Sequence, residues 1–141
     1  RGVDMFLCNQ AEASALLEEE CDQCCAYAAI KSLHTHFPII AVTDGSKGSY
    51  IATAQQLQTV PPYWRKHAPM DTCGAGDVYA AGLMLGYLRG YSLFEMGLLA
   101  SCSASAIISK QGAQLSLDDA IEILADITKH KPVESMNALC S

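Results

Sequence analysis

Between Pro38 and a cluster of turn residues stand five consecutive residues, Ile39-Ile40-Ala41-Val42-Thr43, all apolar or β-branched. Side chains of a strand alternate between the two faces of a sheet, so an unbroken apolar run requires cover on both faces. This run therefore predicts a layered α/β domain, with helices on each side of a mostly parallel central sheet. The neighbouring segments agree. Residues 3–8 read as a strand, and the stretch from about 11 to 35, rich in Ala, Leu, Glu and Gln, reads as a long helix ended by Pro38. Asp44-Gly45-Ser46-Lys47-Gly48 is turn chemistry, residues 49–54 predict a second strand, and residues 56–60 predict a third strand or edge. Pro61-Pro62 and Pro69 bracket a loop that holds Trp64. A helix over 75–89 places Val78, Gly82, Leu85 and Leu88 on one face and stops at Gly90. Ser92-Leu93-Phe94-Glu95 is a capping box that opens a helix to about 110, and Ser116 opens another with Leu117, Ile121, Leu124 and Thr128 in register. Residues 1–130 are expected to form one domain and residues 131–141 a frayed tail.

Charge narrows the partners. Nine basic and fifteen acidic residues leave a net charge of −6, which opposes a sequence-independent grip on nucleic acid or on an anionic membrane. No apolar run approaches the ~18 residues of a membrane span. Hydrophobic residues make up 50% of the 141, ten glycines add to them, and charged residues reach 17%, below the roughly 25% of ordinary domains. This excess predicts that the chain is one face of something larger, prone to pair with a second copy. The start at Arg1, without Met, is expected to mark a piece of a longer protein whose targeting signal is out of view. Seven cysteines, at 8, 21, 24, 25, 73, 102 and 140, are an odd set among Ala, Leu and Ile, so buried free thiols in a reducing compartment such as the cytoplasm are expected. Cys21 and Cys24 form a CxxC with no second pair to complete a zinc site, and His34 and His36 read as capping or exposed groups rather than ligands.

The segment Asp71-Thr72-Cys73-Gly74-Ala75-Gly76-Asp77 carries the chemistry. It puts two glycines and an alanine at the entry to a helix, with a carboxylate in the first turn. The amides of Gly74, Ala75 and Gly76 are unpaired donors of a helix start, reinforced by about half a positive charge from the dipole, and glycine lets a phosphate approach closely. Asp77 beside that pocket is placed to take the proton from an acceptor hydroxyl. Composition alone leaves a plainer reading open: a glycine-rich turn that starts a helix with a dipole-friendly aspartate.

The same segment resembles the DTxGAGD signature of the PfkB, or ribokinase-like, family of carbohydrate and nucleoside kinases, and Val78-Tyr79-Ala80-Ala81-Gly82 continues as that signature does. Asn9-Gln10-Ala11-Glu12 matches the family's NxxE, residues 43–48 resemble its TxGxxG segment, and Gly112-Ala113-Gln114 resembles its closing turn. Three motifs in the family's order extend the resemblance from residue 3 to about 125. It implies a ribokinase-like three-layer α/β/α fold, here its C-terminal portion. It further implies Asp77 as catalytic base and the amides of Gly74, Ala75 and Gly76 as anion hole. Glu12 with Asn9 is implied to organise Mg²⁺ through water, a role that suits an ion which keeps its hydration shell. Thr43, Gly45, Gly48 and Thr72 are implied to lie at the ATP phosphates and ribose. Main-chain oxygens at Asp71, Cys73, Ile107 and Gly112, with Ser116 nearby, correspond to a K⁺ loop. Where many members place an Asn beside the adenine, this chain has Ser101.

Members of that family also carry an N-terminal half with the acceptor pocket and a sheet lid, for which no counterpart precedes Asn9. The resemblance thus predicts an ATP-dependent phosphotransferase acting on an alcohol group of a sugar, nucleoside or polyol, with these 141 residues inactive alone. The alternatives are a non-catalytic PfkB-like scaffold or regulatory protein and a stand-alone nucleotide-binding module.

Overall fold

The computed structural model describes residues 2–17, 30–33, 35–63, 71–109 and 114–130. Four strands form one sheet in the order β1 (Met5–Asn9), β2 (Ile39–Thr43), β3 (Ser49–Ala52) and β4 (Leu57–Val60). Helix α1 (Gln10–Leu17) follows β1 directly, and residues 30–33 are again helical. The second half is helical: α2 (Ala75–Leu88), α3 (Leu93–Ile108) and α4 (Leu117–His130).

The apolar run at β2 behaves as its sequence demands. Ile40 and Val42 pack with Cys8, Ala13 and Ile30 on one side of the sheet. Ile39 and Ala41 pack on the other with Ile51, Val60, Tyr79, Leu83, Met96 and Ala100. Helices therefore cover both faces, and the α/β layering holds. A third cluster joins Leu98, Leu99, Cys102 and Ala106 of α3 to Ile123 and Ile127 of α4. Phe6 and Phe37 stack at 4.8 Å between ring centres where the chain enters β2.

The expected predominance of parallel strands does not hold among the described residues. β1 and β2 are parallel, but β2–β3 and β3–β4 are antiparallel. The connections decide it: the 3₁₀ turn Gly45–Lys47 and the turn over 53–56 are too short for a crossover, which takes a dozen residues or more. In the second turn the Thr53 hydroxyl accepts from the amides of Gln55 and Gln56, so β3 ends two residues before the expected 54.

Two helix faces differ from the expected registers. On α2 the buried stripe is Tyr79, Gly82, Leu83 and Gly86, whereas Leu85 and Leu88 are exposed. The glycines decide: a Cβ on Gly82 would lie 2.7 Å from the Ala100 Cα, and one on Gly86 would lie 3.0 Å from the Met96 Cα, so α3 packs where α2 has no side chains. On α4 the stripe Leu117, Ile121 and Leu124 faces out, and Thr128 with it, while Ile123 and Ile127 are buried. Packing sets that face, because Ile123 and Ile127 fit against Leu98, Leu99, Cys102 and Ala106 of α3, while at the helix start the Asp119 carboxylate, 5% exposed, accepts from both the amide and the hydroxyl of Ser116. The Ser92–Glu95 capping box forms as expected.

Among the described residues Cys8 and Cys102 are buried free thiols, while Cys73 is a free thiol that is exposed. His36 is exposed in a turn. The CxxC pair, Cys140, His34, Trp64, Pro69 and the tail lie outside the described residues. Among those described, no helix is long and apolar enough to cross a membrane, and no three His, Cys, Asp or Glu side chains gather as a metal site.

Candidate active site

Asn9 and Thr43 are register partners at the carboxyl ends of the parallel pair β1 and β2, the edge from which an open α/β sheet binds ligands. Beyond Thr43 the chain makes a tight loop: the Asp44 amide donates to the Gly48 carbonyl at 2.8 Å and the Lys47 amide to the Asp44 carbonyl at 2.9 Å. Gly48 is indispensable to this geometry. Its φ is +101°, and a Cβ there would run into the Val60 carbonyl oxygen and stand 3.0 Å from the Pro62 nitrogen.

Opposite that loop, the chain enters α2 through an Asx turn in which the Asp71 carboxylate accepts the Cys73 amide at 2.9 Å. Gly74 then adopts the left-handed conformation, φ 76° and ψ 0°, which costs a glycine little. The Ala75 amide is taken by the Thr72 carbonyl at 3.2 Å. The amides of Gly74, Gly76 and Asp77 have no acceptor among the described residues, so bare donors and the positive end of the α2 dipole coincide. The Asp77 side chain is exposed, and no hydrogen bond or ion pair engages it among the described residues.

Between loop and helix lies a cavity of about 350 Å³. Thr43, Gly45, Gly48, Thr72, Ala75, Gly76 and Ser101 line it, so residues from three segments spread over about 60 positions converge on one space. Gly74 and Asp77 flank this wall in the chain without lining it. Asn9 and Glu12 also stand outside the lining, where they cap α1 reciprocally: the Asn9 amide donates to Glu12 Oε2 and the Glu12 amide to Asn9 Oδ1, both at 2.8 Å. Glu12 Oε1 has no partner among the described residues.

The residues of the expected cation loop are partly gathered. The Asp71 amide donates to the Ile108 carbonyl at 3.3 Å, which lays residues 71–73 against the end of α3. There the Ile107 carbonyl already accepts the Ser109 amide, and Ser116 is committed to Asp119. Gly112 lies outside the described residues.

Several wall residues were not singled out from the sequence: Ser46, Pro62, Tyr63, Tyr79, Ala104, Ser105 and Ile108. The spacing of Ser101, Ala104, Ser105 and Ile108 marks one face of α3 and is a signal for four of the wall positions. Tyr79 has no such signal. Its hydroxyl donates to Ser49 Oγ at 2.7 Å, tying α2 to β3 behind the cavity, and burial pushes its pKa up to about 12 despite the opposing effect of that hydrogen bond. Cys8, beneath the site, is raised to about 11 by burial and then by the Glu12 carboxylate, which makes it an unreactive core thiol.

The match to known proteins follows the same residues. The pfkB family carbohydrate kinase profile matches residues 1–120. An uncharacterised sugar kinase of Archaeoglobus fulgidus is 33% identical over 122 residues, covering 86% of this chain and 46% of that protein. The crystal structure of adenosine kinase from Sinorhizobium meliloti superposes with a TM-score of 0.77 at 31% identity, over 88% of this chain and 36% of that one. Phosphofructokinase-2 from Escherichia coli in complex with potassium gives 0.77 at 25% identity, over 90% of this chain and 42% of that one. The chain spans less than half the length of each of these relatives. By its ordered motifs, its fold and a profile match over most of its length, the chain belongs to the PfkB family of carbohydrate kinases.

Proposed function

We propose that this chain supplies the nucleotide site and catalytic base of an ATP-dependent phosphotransferase whose acceptor is an alcohol group of a sugar, nucleoside or related polyol. One observation carries the reading. Bare amides at Gly74, Gly76 and Asp77 open α2 at the cavity wall, next to a carboxylate with no other engagement among the described residues. Donors fixed in a helix start stabilise the charge that develops on a transferred phosphoryl group without reorganising. Asp77 takes the proton from the acceptor hydroxyl, so that the acceptor oxygen attacks the γ-phosphorus of ATP in line as the bond to the bridging oxygen breaks and ADP leaves.

The residues present fit the nucleotide. Glycines at 45 and 76 leave the loop and helix start bare for close approach, Gly48 shapes the loop, and Thr43 and Thr72 bring hydroxyls to the phosphates and ribose. Glu12 Oε1 and Asn9, at the β1 edge beside Thr43, would hold Mg²⁺ through water. That suits a hard ion which retains its hydration shell, and Mg²⁺ would neutralise phosphate charge. The main-chain oxygens of Asp71, Cys73, Ile107 and Gly112, with Ser116 nearby, would hold K⁺, a reading supported by the potassium complex of the Escherichia coli relative.

A second part is needed to bind the acceptor, so the 141 residues alone turn over slowly or not at all, and they self-associate through exposed apolar side chains. The deciding substitution is Asp77→Asn in the whole protein. It keeps the shape and removes the base, so kcat should fall about 10²–10⁴-fold while nucleotide affinity stays within a few-fold. Unchanged kcat would leave a scaffold role instead.

A further inference from the structure

We propose that the Ser105 hydroxyl binds the polar edge of the nucleotide's base in this cavity, an inference that rests on the nucleotide site proposed above. Ser105 lines the cavity and is 4% exposed. Its hydroxyl has no hydrogen-bond partner among the described residues, whereas other serines of the same helical stretch are paired. Ser103 Oγ donates back to the Leu99 carbonyl at 2.8 Å, Ser109 Oγ to the Ser105 carbonyl at 2.7 Å, and Ser101 Oγ to the Pro61 carbonyl at 3.4 Å. The same bond to the carbonyl four residues back is available to Ser105 and is not made. A buried hydroxyl left unpaired is rare and unfavourable, and one that faces a cavity is satisfied by what enters it.

The walls around it indicate what enters. Pro62, Tyr63, Tyr79, Ala104 and Ile108 are apolar or flat surfaces, suited to an aromatic ring rather than to a polyol. The bare amides belong to the start of α2 and Ser105 to α3, so a ligand with an anionic end and a flat ring meets both. A hydroxyl rotates freely and serves as donor or acceptor. Ser105 can therefore accept from the 6-amino group of adenine or donate to the 6-oxo group of guanine, and the site is expected to take either purine.

The test compares MgATP, MgGTP and Mg-tripolyphosphate, which has the phosphates but no base, by calorimetry on the protein and its Ser105→Ala variant. The two nucleotides should bind within about tenfold of each other, and the substitution should weaken both about 3–10-fold, the worth of one hydrogen bond, while tripolyphosphate binding is unchanged. Without ligand, the variant should melt at the same temperature or higher, because it loses an unpaired buried group. A lower melting temperature, equal weakening of tripolyphosphate, or unchanged nucleotide affinity would each overturn the assignment of Ser105. Failure of the unsubstituted protein to bind any of the three would overturn the nucleotide site itself, and this inference with it.

Discussion

Gly48 and Gly74 show how single residues shape the site. Both have positive φ, and Gly48 is also hemmed in by the Val60 carbonyl and Pro62. Gly48→Ala combines a strained backbone with a steric clash and should cost about 2 kcal/mol or more, read as a drop in the urea midpoint at unchanged slope. Cys8 and Tyr79 set a limit at high pH. Both are neutral when protonated, and burial raises their pKa from 9.0 to about 11 and from 10.0 to about 12. The folded state therefore holds these protons more tightly than the unfolded one. Their contribution is complete below pH 9 and is lost as pH climbs through 9–11 for Cys8 and 10–12 for Tyr79. Urea midpoints across that range should fall, and Cys8→Ala should flatten the first part of the decline; a midpoint constant to pH 11 would contradict it. The glycine-flanked Asp77 is readable from its neighbours in the chain. The Tyr79–Ser49 bond joins positions 30 apart, and nothing local marks it.

At the scale of elements, helix starts are legible and helix faces are not. The pairs Asn9/Glu12, Ser92/Glu95 and Ser116/Asp119 all form, since a cap depends on residues three apart. Faces of α2 and α4 depend on what packs against them. Each helix carries two apolar stripes, and small residues, which hydropathy undervalues, select between them on α2. Gly82 and Gly86 admit the α3 backbone, so Gly82→Ala should destabilise the protein by about 1–3 kcal/mol through overpacking. Leu88→Ser, at 77% exposure, should change stability by less than about 0.5 kcal/mol in this chain, as judged by the same denaturation curves. Equal costs at the two sites would restore the register first expected.

For the whole molecule, β2 is the organising element, with one apolar cluster on each face, and its burial on both sides is written in five consecutive residues. The mixed strand directions follow from loop lengths that composition does not weigh. Exposed Met84, Leu85, Tyr87 and Leu88 on α2, with Leu117, Ile121 and Leu124 on α4, leave apolar surface without cover among the described residues. Light scattering on the 141-residue chain should find dimers or larger species, and a monomer at high concentration would refute that. The central claim concerns the cavity where loop, helix start and α3 meet. A crystal structure of the protein with a non-hydrolysable ATP analogue tests it most directly. The terminal phosphate oxygens should lie about 2.7–3.2 Å from the amides of Gly74 and Gly76, with the Asp77 carboxylate facing the acceptor side. A bound nucleotide whose phosphates avoid those amides, or an Asp77 turned away into an ion pair, would contradict it.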